Sequence, residues 1–242
     1  MQDEGPPDLG CHDRQVSPGP GPVGNGFPVR ASETWDDRGC SGSTAAILAG
    51  MGKTYERIDG RLRAFIEAQP VFFTASAPLA ADGHVNVSPK GRAGTLRVLD
   101  EQRVAYLDFG GSHAETIAHL RENGRITLMW CAFDGPPKIV RVHGTGEPVF
   151  RDDPRFADLV AGFGEADGPA LRAVVVVTAK LVSDTCGYAV PFMDYREERT
   201  LHADYFGRKS DEEFVEYCDK KDHNGHSIDG LPALPLPLPA RP

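Results

Sequence analysis

The chain has no apolar run approaching about 18 residues, no excess of basic over acidic side chains, no CxxC pair and no Walker or GxGxxG loop. Each absence removes a class of function. No membrane-spanning helix is expected, and the N-terminus lacks the charged-then-apolar order of a signal peptide. A formal net charge of −9 argues against a general nucleic-acid binder, because neutralising phosphates takes a basic surface; a local basic pocket for one phosphate remains open. The five cysteines, Cys11, Cys40, Cys131, Cys186 and Cys218, are odd in number and lack zinc-ligand spacing. They read as free thiols in a reducing compartment, so a soluble, cytoplasmic protein is expected. Gly162-Phe163-Gly164 neither follows a strand nor leads a helix with a third glycine. His84, His113, His119 and His143 are scattered, with no Ser or Cys at a nucleophile motif.

What is present begins after the first 50 residues. Residues 1–50 hold 15 Gly or Pro and few large apolar side chains, too little buried surface to offset chain entropy. They are expected to be a disordered or mis-assigned extension, with Met51 as the alternative start. Residues 51–234 are expected to fold as one domain, followed by a Pro-Leu tail over 235–242.

Within 51–234 the spacing of Ile58, Leu62, Phe65 and Ile66 predicts an amphipathic helix over 55–68, ended by Pro70. Short strands are expected at 71–75 and 84–88, turned at Asp82-Gly83, and at 95–99 and 103–108, turned at 100–102. Ser112-His113-Ala114-Glu115 fits a capping box for a helix that stops at Asn123-Gly124. Strands follow at 125–132, 139–146 and 173–183, with helices at 153–163 and 211–221. Hairpin connections in place of helical crossovers predict a mainly β fold with flanking helices, an antiparallel barrel of about six or seven strands.

Two features carry chemistry. Along Asn86-Val87-Ser88-Pro89-Lys90-Gly91, residues 86, 88 and 90 share one face of an extended chain. One strand edge thus presents an amide, a hydroxyl and an ammonium together. About twenty residues on, Asp108-Phe109-Gly110-Gly111 feeds a helix start, where free amides and the positive dipole end favour an anion. Glu115 in that first turn would repel a phosphate unless it faces away. Arg125 and Arg141 sit in strands among apolar neighbours, as solvated residues or as contacts to a phosphate or ring carbonyl. Cys186-Gly187-Tyr188 has no CxxC partner and reads as a buried structural thiol in preference to a redox one.

The stretches 84–91 and 115–129, Cys186-Gly187-Tyr188 with Val190-Pro191-Phe192-Met193, and Ser227-Ile228-Asp229-Gly230-Leu231-Pro232 resemble the pyridoxamine 5'-phosphate oxidase-related flavin-binding family over roughly residues 51–234. That resemblance implies a six-stranded FMN-binding split barrel and a homodimer with flavin at the subunit interface. It places Asn86, Ser88 and Lys90 along the flavin, Asp108, Ser112, Thr116 and Arg141 among the cofactor-binding residues, and Tyr188 and Arg199 as substrate contacts. The true oxidases carry an Arg-Lys pair where this chain has Glu115-Thr116, so the namesake reaction is not expected. The implied activity is a flavin-dependent oxidoreductase on a small molecule, with deazaflavin as an alternative to FMN. A flavin carrier without turnover is the alternative from a different class.

Overall fold

The computed structural model describes residues 52–164, 168, 170–220 and 222–241. The extension expected over 1–50, with Cys11 and Cys40, lies outside the described residues. The first strand, β1 (Lys53–Tyr55), takes Tyr55, the first residue of the expected helix. Helix α1 (Gly60–Ala68) therefore begins later, where Asp59 accepts hydrogen bonds from the Arg61 and Leu62 amides at 3.0 and 2.9 Å. That cap satisfies first-turn donors which otherwise have no partner in the helix.

The remaining strands are β2 (Phe72–Ser76), β3 (Asn86–Lys90), β4 (Leu96–Val98), β5 (Arg103–Phe109), β6 (Arg125–Cys131), β7 (Ile139–Phe150) and β8 (Leu171–Thr185). Helix α2 (Glu115–Asn123) separates β5 from β6, and α3 (Phe156–Ala161) separates β7 from β8. Helices α4 (Leu201–Phe206), α5 (Asp211–Lys220) and α6 (Asp222–Gly225) follow. The strands form one antiparallel sheet in the order β3-β2-β6-β7-β8-β5-β4, with β1 on β8. The fold is mainly β with flanking helices, as expected. Among the described residues its eight strands exceed the six of the expected barrel, and the surplus sits at the margins, where β1 and β4 have three residues each.

The sheet curls until its ends meet. Phe72 on β2 packs edge-on against Tyr106 on β5 at 5.4 Å between ring centres and stacks on Trp130 at 6.0 Å. Those strands are far apart in the hydrogen-bonded order, so their contact across one core makes the sheet a split barrel. The bend is carried by the longest strands. A bulge between His143 and Gly144 shifts the β7–β8 register, and a Cβ at Gly144 would stand 2.1 Å from the Thr178 carbonyl oxygen. The β8 run 171–175 is buried at every residue, not at alternate ones, because barrel core covers one face and helices the other.

Two further clusters lie outside the barrel. Phe156 and Val160 of α3 pack with Leu171 and Val174. Residues of α2, α4 and α5 gather around Phe214 together with Leu234 and Leu238. The segment expected as an extended tail thus packs past residue 234: Leu238 is buried, and the Pro239 carbonyl accepts from Arg151 at 3.3 Å.

Candidate functional site

Strand β3 alternates as its pattern demands: Asn86, Ser88 and Lys90 are half-buried, whereas Val87 and Pro89 face out. The inward residues point toward the opposite end of the curled sheet. Lys90 Nζ meets Asp108 Oδ1 of β5 at 3.1 Å. Arg172, near the start of β8, meets the other carboxylate oxygen through Nη2 at 2.8 Å and Nε at 3.0 Å. Asp108 is 1 % exposed. Burial alone pushes its carboxyl pKa up, but the Arg172 and Lys90 charges outweigh that and hold it below the ordinary carboxylate value. Two cations on one carboxylate leave that triad with one positive charge in excess.

The start of α2 faces the same space. Its N-cap is Ala114, with no side-chain cap, and His113 before it adopts φ 67°. The expected Ser112 capping box is therefore not formed: the left-handed turn at His113 moves the helix start to Glu115 and leaves Ser112 outside it. Glu115 is not turned out of this space: its Oε1 accepts from the Ile228 amide at 2.8 Å, yet the residue still lines the cavity in front of the helix start. A cavity of about 140 Å³ lies between these elements, lined by Ser88, Lys90, Asp108, Ser112, Thr116 and Arg172 among others. That is room for about four or five waters, the scale of one compact anion and not of a ring system.

A hydrogen-bonded network backs the cradle. Ser88 Oγ donates to Asn86 Oδ1 at 2.8 Å, and Asn86 Nδ2 donates to Thr116 Oγ1 at 3.0 Å and to Ser76 Oγ at 3.2 Å. Ser76 Oγ lies 3.0 Å from His119 Nδ1. Burial lowers the His119 pKa, against the pull of Glu115, Asp229 and Glu122.

The structure thus brings together Asn86, Ser88, Lys90, Asp108, Ser112 and Thr116. It does not bring Arg141 to them; β2 and β6 intervene, and Arg141 hydrogen-bonds to Thr185 Oγ1 at 3.2 Å. Arg199 lines a second cavity of about 390 Å³ with Arg92, Phe109 and His202. The two cavities share Lys90 and Phe109. Tyr188 is 82 % exposed. Gly110 serves packing more than ligand approach, since a Cβ there would lie 2.5 Å from the Phe214 ring.

Sequence reasoning missed Arg172, Ser76 and His119. The signal for Arg172 was present: a guanidinium directly ahead of the apolar run 173–177 must find a buried partner. The histidines that look scattered along the chain have partners in space. His84 pairs with Asp229 at 2.6 Å, His143 with Thr127 at 2.9 Å and His202 with the Gly110 carbonyl at 2.7 Å. Among the described residues Cys131, Cys186 and Cys218 are free thiols, but Cys186 is exposed and not buried as expected, and no helix is long and apolar enough to cross a membrane.

Residues 58–186 match the family model described as pyridoxamine 5'-phosphate oxidase. The pyridoxamine 5'-phosphate oxidase family protein ustO of Aspergillus flavus is 38 % identical over 192 residues, covering 74 % of this chain and 77 % of that protein. Among solved structures, HupZ of Group A Streptococcus is 17 % identical, with a TM-score of 0.44, over 53 % of this chain and 94 % of its own. An FMN-binding protein from Syntrophomonas wolfei subsp. wolfei is 16 % identical, with a TM-score of 0.40, over 51 % of this chain and 82 % of its own.

Proposed function

The chain belongs to the pyridoxamine 5'-phosphate oxidase family, and from that premise we propose that it is a flavin-dependent oxidoreductase holding FMN by its phosphate and acting on a small molecule. The observation that carries this reading is the meeting of Lys90 and Arg172, anchored on buried Asp108, with the uncapped start of α2. Charge-assisted contacts to two cations and first-turn amides are the chemistry that recognises a phosphate monoester. Asn86, Ser88, Lys90, Asp108, Ser112 and Thr116 form the proposed cofactor-binding set, with Arg172 added and Arg141 left outside it within one protomer.

A bound flavin supplies hydride transfer. The residues of this chain bind, orient and shield. Lys90 and Arg172 neutralise the phosphate, and Asp108 holds both cations in place. The barrel's rigid strand ends keep the anchor fixed relative to the adjoining 390 Å³ cavity. That cavity is the proposed substrate space, with Arg199 as a contact, and Tyr188 is proposed as a further one. Glu115-Thr116 in place of two cations leaves the namesake reaction outside the proposal. A cytoplasmic homodimer is the proposed working form.

Absorbance of the purified protein, alone and after addition of FMN or deazaflavin, tests the cofactor; a protein that binds neither overturns the reading. Reduction by NADPH or NADH with an added acceptor separates an enzyme from a carrier. Lys90→Ala is expected to weaken FMN binding by about 1–3 kcal/mol, the scale of a charge-assisted contact. Unchanged affinity in a titration would remove Lys90 from the phosphate site.

A further inference from the structure

We propose that His119, acting through Ser76 and Asn86, is a positioning residue that fixes Thr116 as a hydrogen-bond donor to the anion in the cradle. The inference rests on the cradle being a phosphate site, as proposed above, and adds a residue that touches neither cofactor nor cavity. His119 lies on the buried face of α2, 0 % exposed, three residues from Thr116.

The argument follows the protons. Both amide hydrogens of Asn86 are committed, one to Ser76 Oγ and one to Thr116 Oγ1, while its carbonyl oxygen accepts from Ser88. A hydroxyl has one proton to donate. Ser76 Oγ accepts from Asn86, and among the described residues its one partner able to accept is His119 Nδ1, 3.0 Å away, so its proton goes there. Nδ1 is then bare, so the imidazole is neutral and carries its proton on Nε2, a buried atom with no hydrogen-bond partner among the described residues. The low His119 pKa that burial enforces accords with this, and Glu115, Asp229 and Glu122 are the charged groups that oppose it.

The consequence reaches the cavity. Thr116 Oγ1 accepts from Asn86, so its own proton is free, and Thr116 lines the space beside Lys90 and Arg172. Were Nδ1 protonated, Ser76 would have to accept from it and donate toward Asn86. The Asn86 amide would turn over, its carbonyl oxygen would take the Thr116 proton, and the cradle would lose a donor. A neutral His119 thus holds one of two orientations of a buried amide, and that orientation decides what the anion meets.

The test compares FMN with riboflavin, which lacks the phosphate, by titration against the full chain. Wild type is expected to prefer FMN. Ser76→Ala and His119→Phe should each reduce that preference about tenfold, the size of one donor to a charged group, with riboflavin affinity unchanged. A merely structural role would lower both affinities together. Thr116→Val should give the same loss alone, and His119→Phe added to it should cost nothing more. His119→Asn, whose side-chain oxygen can stand where Nδ1 stands, should keep the preference. Ser76→Ala leaves His119 in the core, so it decides the question even if His119→Phe lowers folding. An FMN preference undiminished in Ser76→Ala, or losses that add in the double variant, would overturn the proposal. A wild type that binds both flavins equally would overturn the phosphate reading beneath it.

Discussion

Asp108 shows how much a single buried group settles. It is ionised inside the fold because two cations touch it, and either cation without it would be a buried charge lacking compensation, an arrangement that costs about 3–5 kcal/mol when one partner is removed. The histidines respond to acid in a way their environments dictate. Burial lowers the pKa of His119 and of His143, the latter helped by Arg141. A histidine held neutral in the folded state binds fewer protons than it does unfolded, so its stability contribution is present above the ordinary value of about 6.5 and is lost as pH falls below it. His84 shifts the other way, raised by its hydrogen bond to Asp229, but it is exposed, so its opposing effect is small. Urea unfolding from pH 8 to pH 5 should therefore show stability falling with acid, and the slope should flatten in His119→Asn. A stability that rises toward pH 5 would contradict this assignment.

At the scale of elements, the strand periods were legible and the helix starts were not. The alternation that put Asn86, Ser88 and Lys90 on one face survives in β3, because period two is a property of any extended chain. The start of α2 was misread. The S-x-x-E spacing is right for a capping box, but His113 takes a left-handed turn and Glu115 is held by Ile228, 113 residues away. Helix α1 shows the converse: its spacing suggested a start at Tyr55, whereas pairing of β1 with β8 claims Tyr55 and Asp59 caps a helix that begins at Gly60. Asp59→Ala should lower unfolding free energy by about 1 kcal/mol, as loss of an N-cap does. Thermal or urea melting would check this, and no change would mean the cap is satisfied by water.

For the whole molecule, barrel and outer clusters are separate sources of stability. The second cluster reaches through α5 to the end of the described chain, with Leu238 2 % exposed and Arg151 ion-paired to Asp211 at 2.8 Å. Leu238→Ala should cost about 2–5 kcal/mol in urea denaturation, the usual range for emptying a buried leucine site. A cost near zero would show that residues past 234 add nothing to the fold.

Local chemistry made the strands, the glycine-terminated end of α2 and the inward trio on β3 readable in the sequence alone, because periodicity and turn residues act over a few positions. Which distant groups meet was decided by the tertiary structure. Lys90 and Asp108 lie 18 residues apart in the chain, yet β3 and β5 sit near opposite ends of the hydrogen-bonded order and touch because the sheet curls. Ser76 reaches Asn86 by β2–β3 pairing and Arg172 reaches Asp108 by β8–β5 pairing, and the closure joins these two halves. A barrel brings its edges together through the accumulated twist of every strand between them, and no local pattern in the chain records the sum.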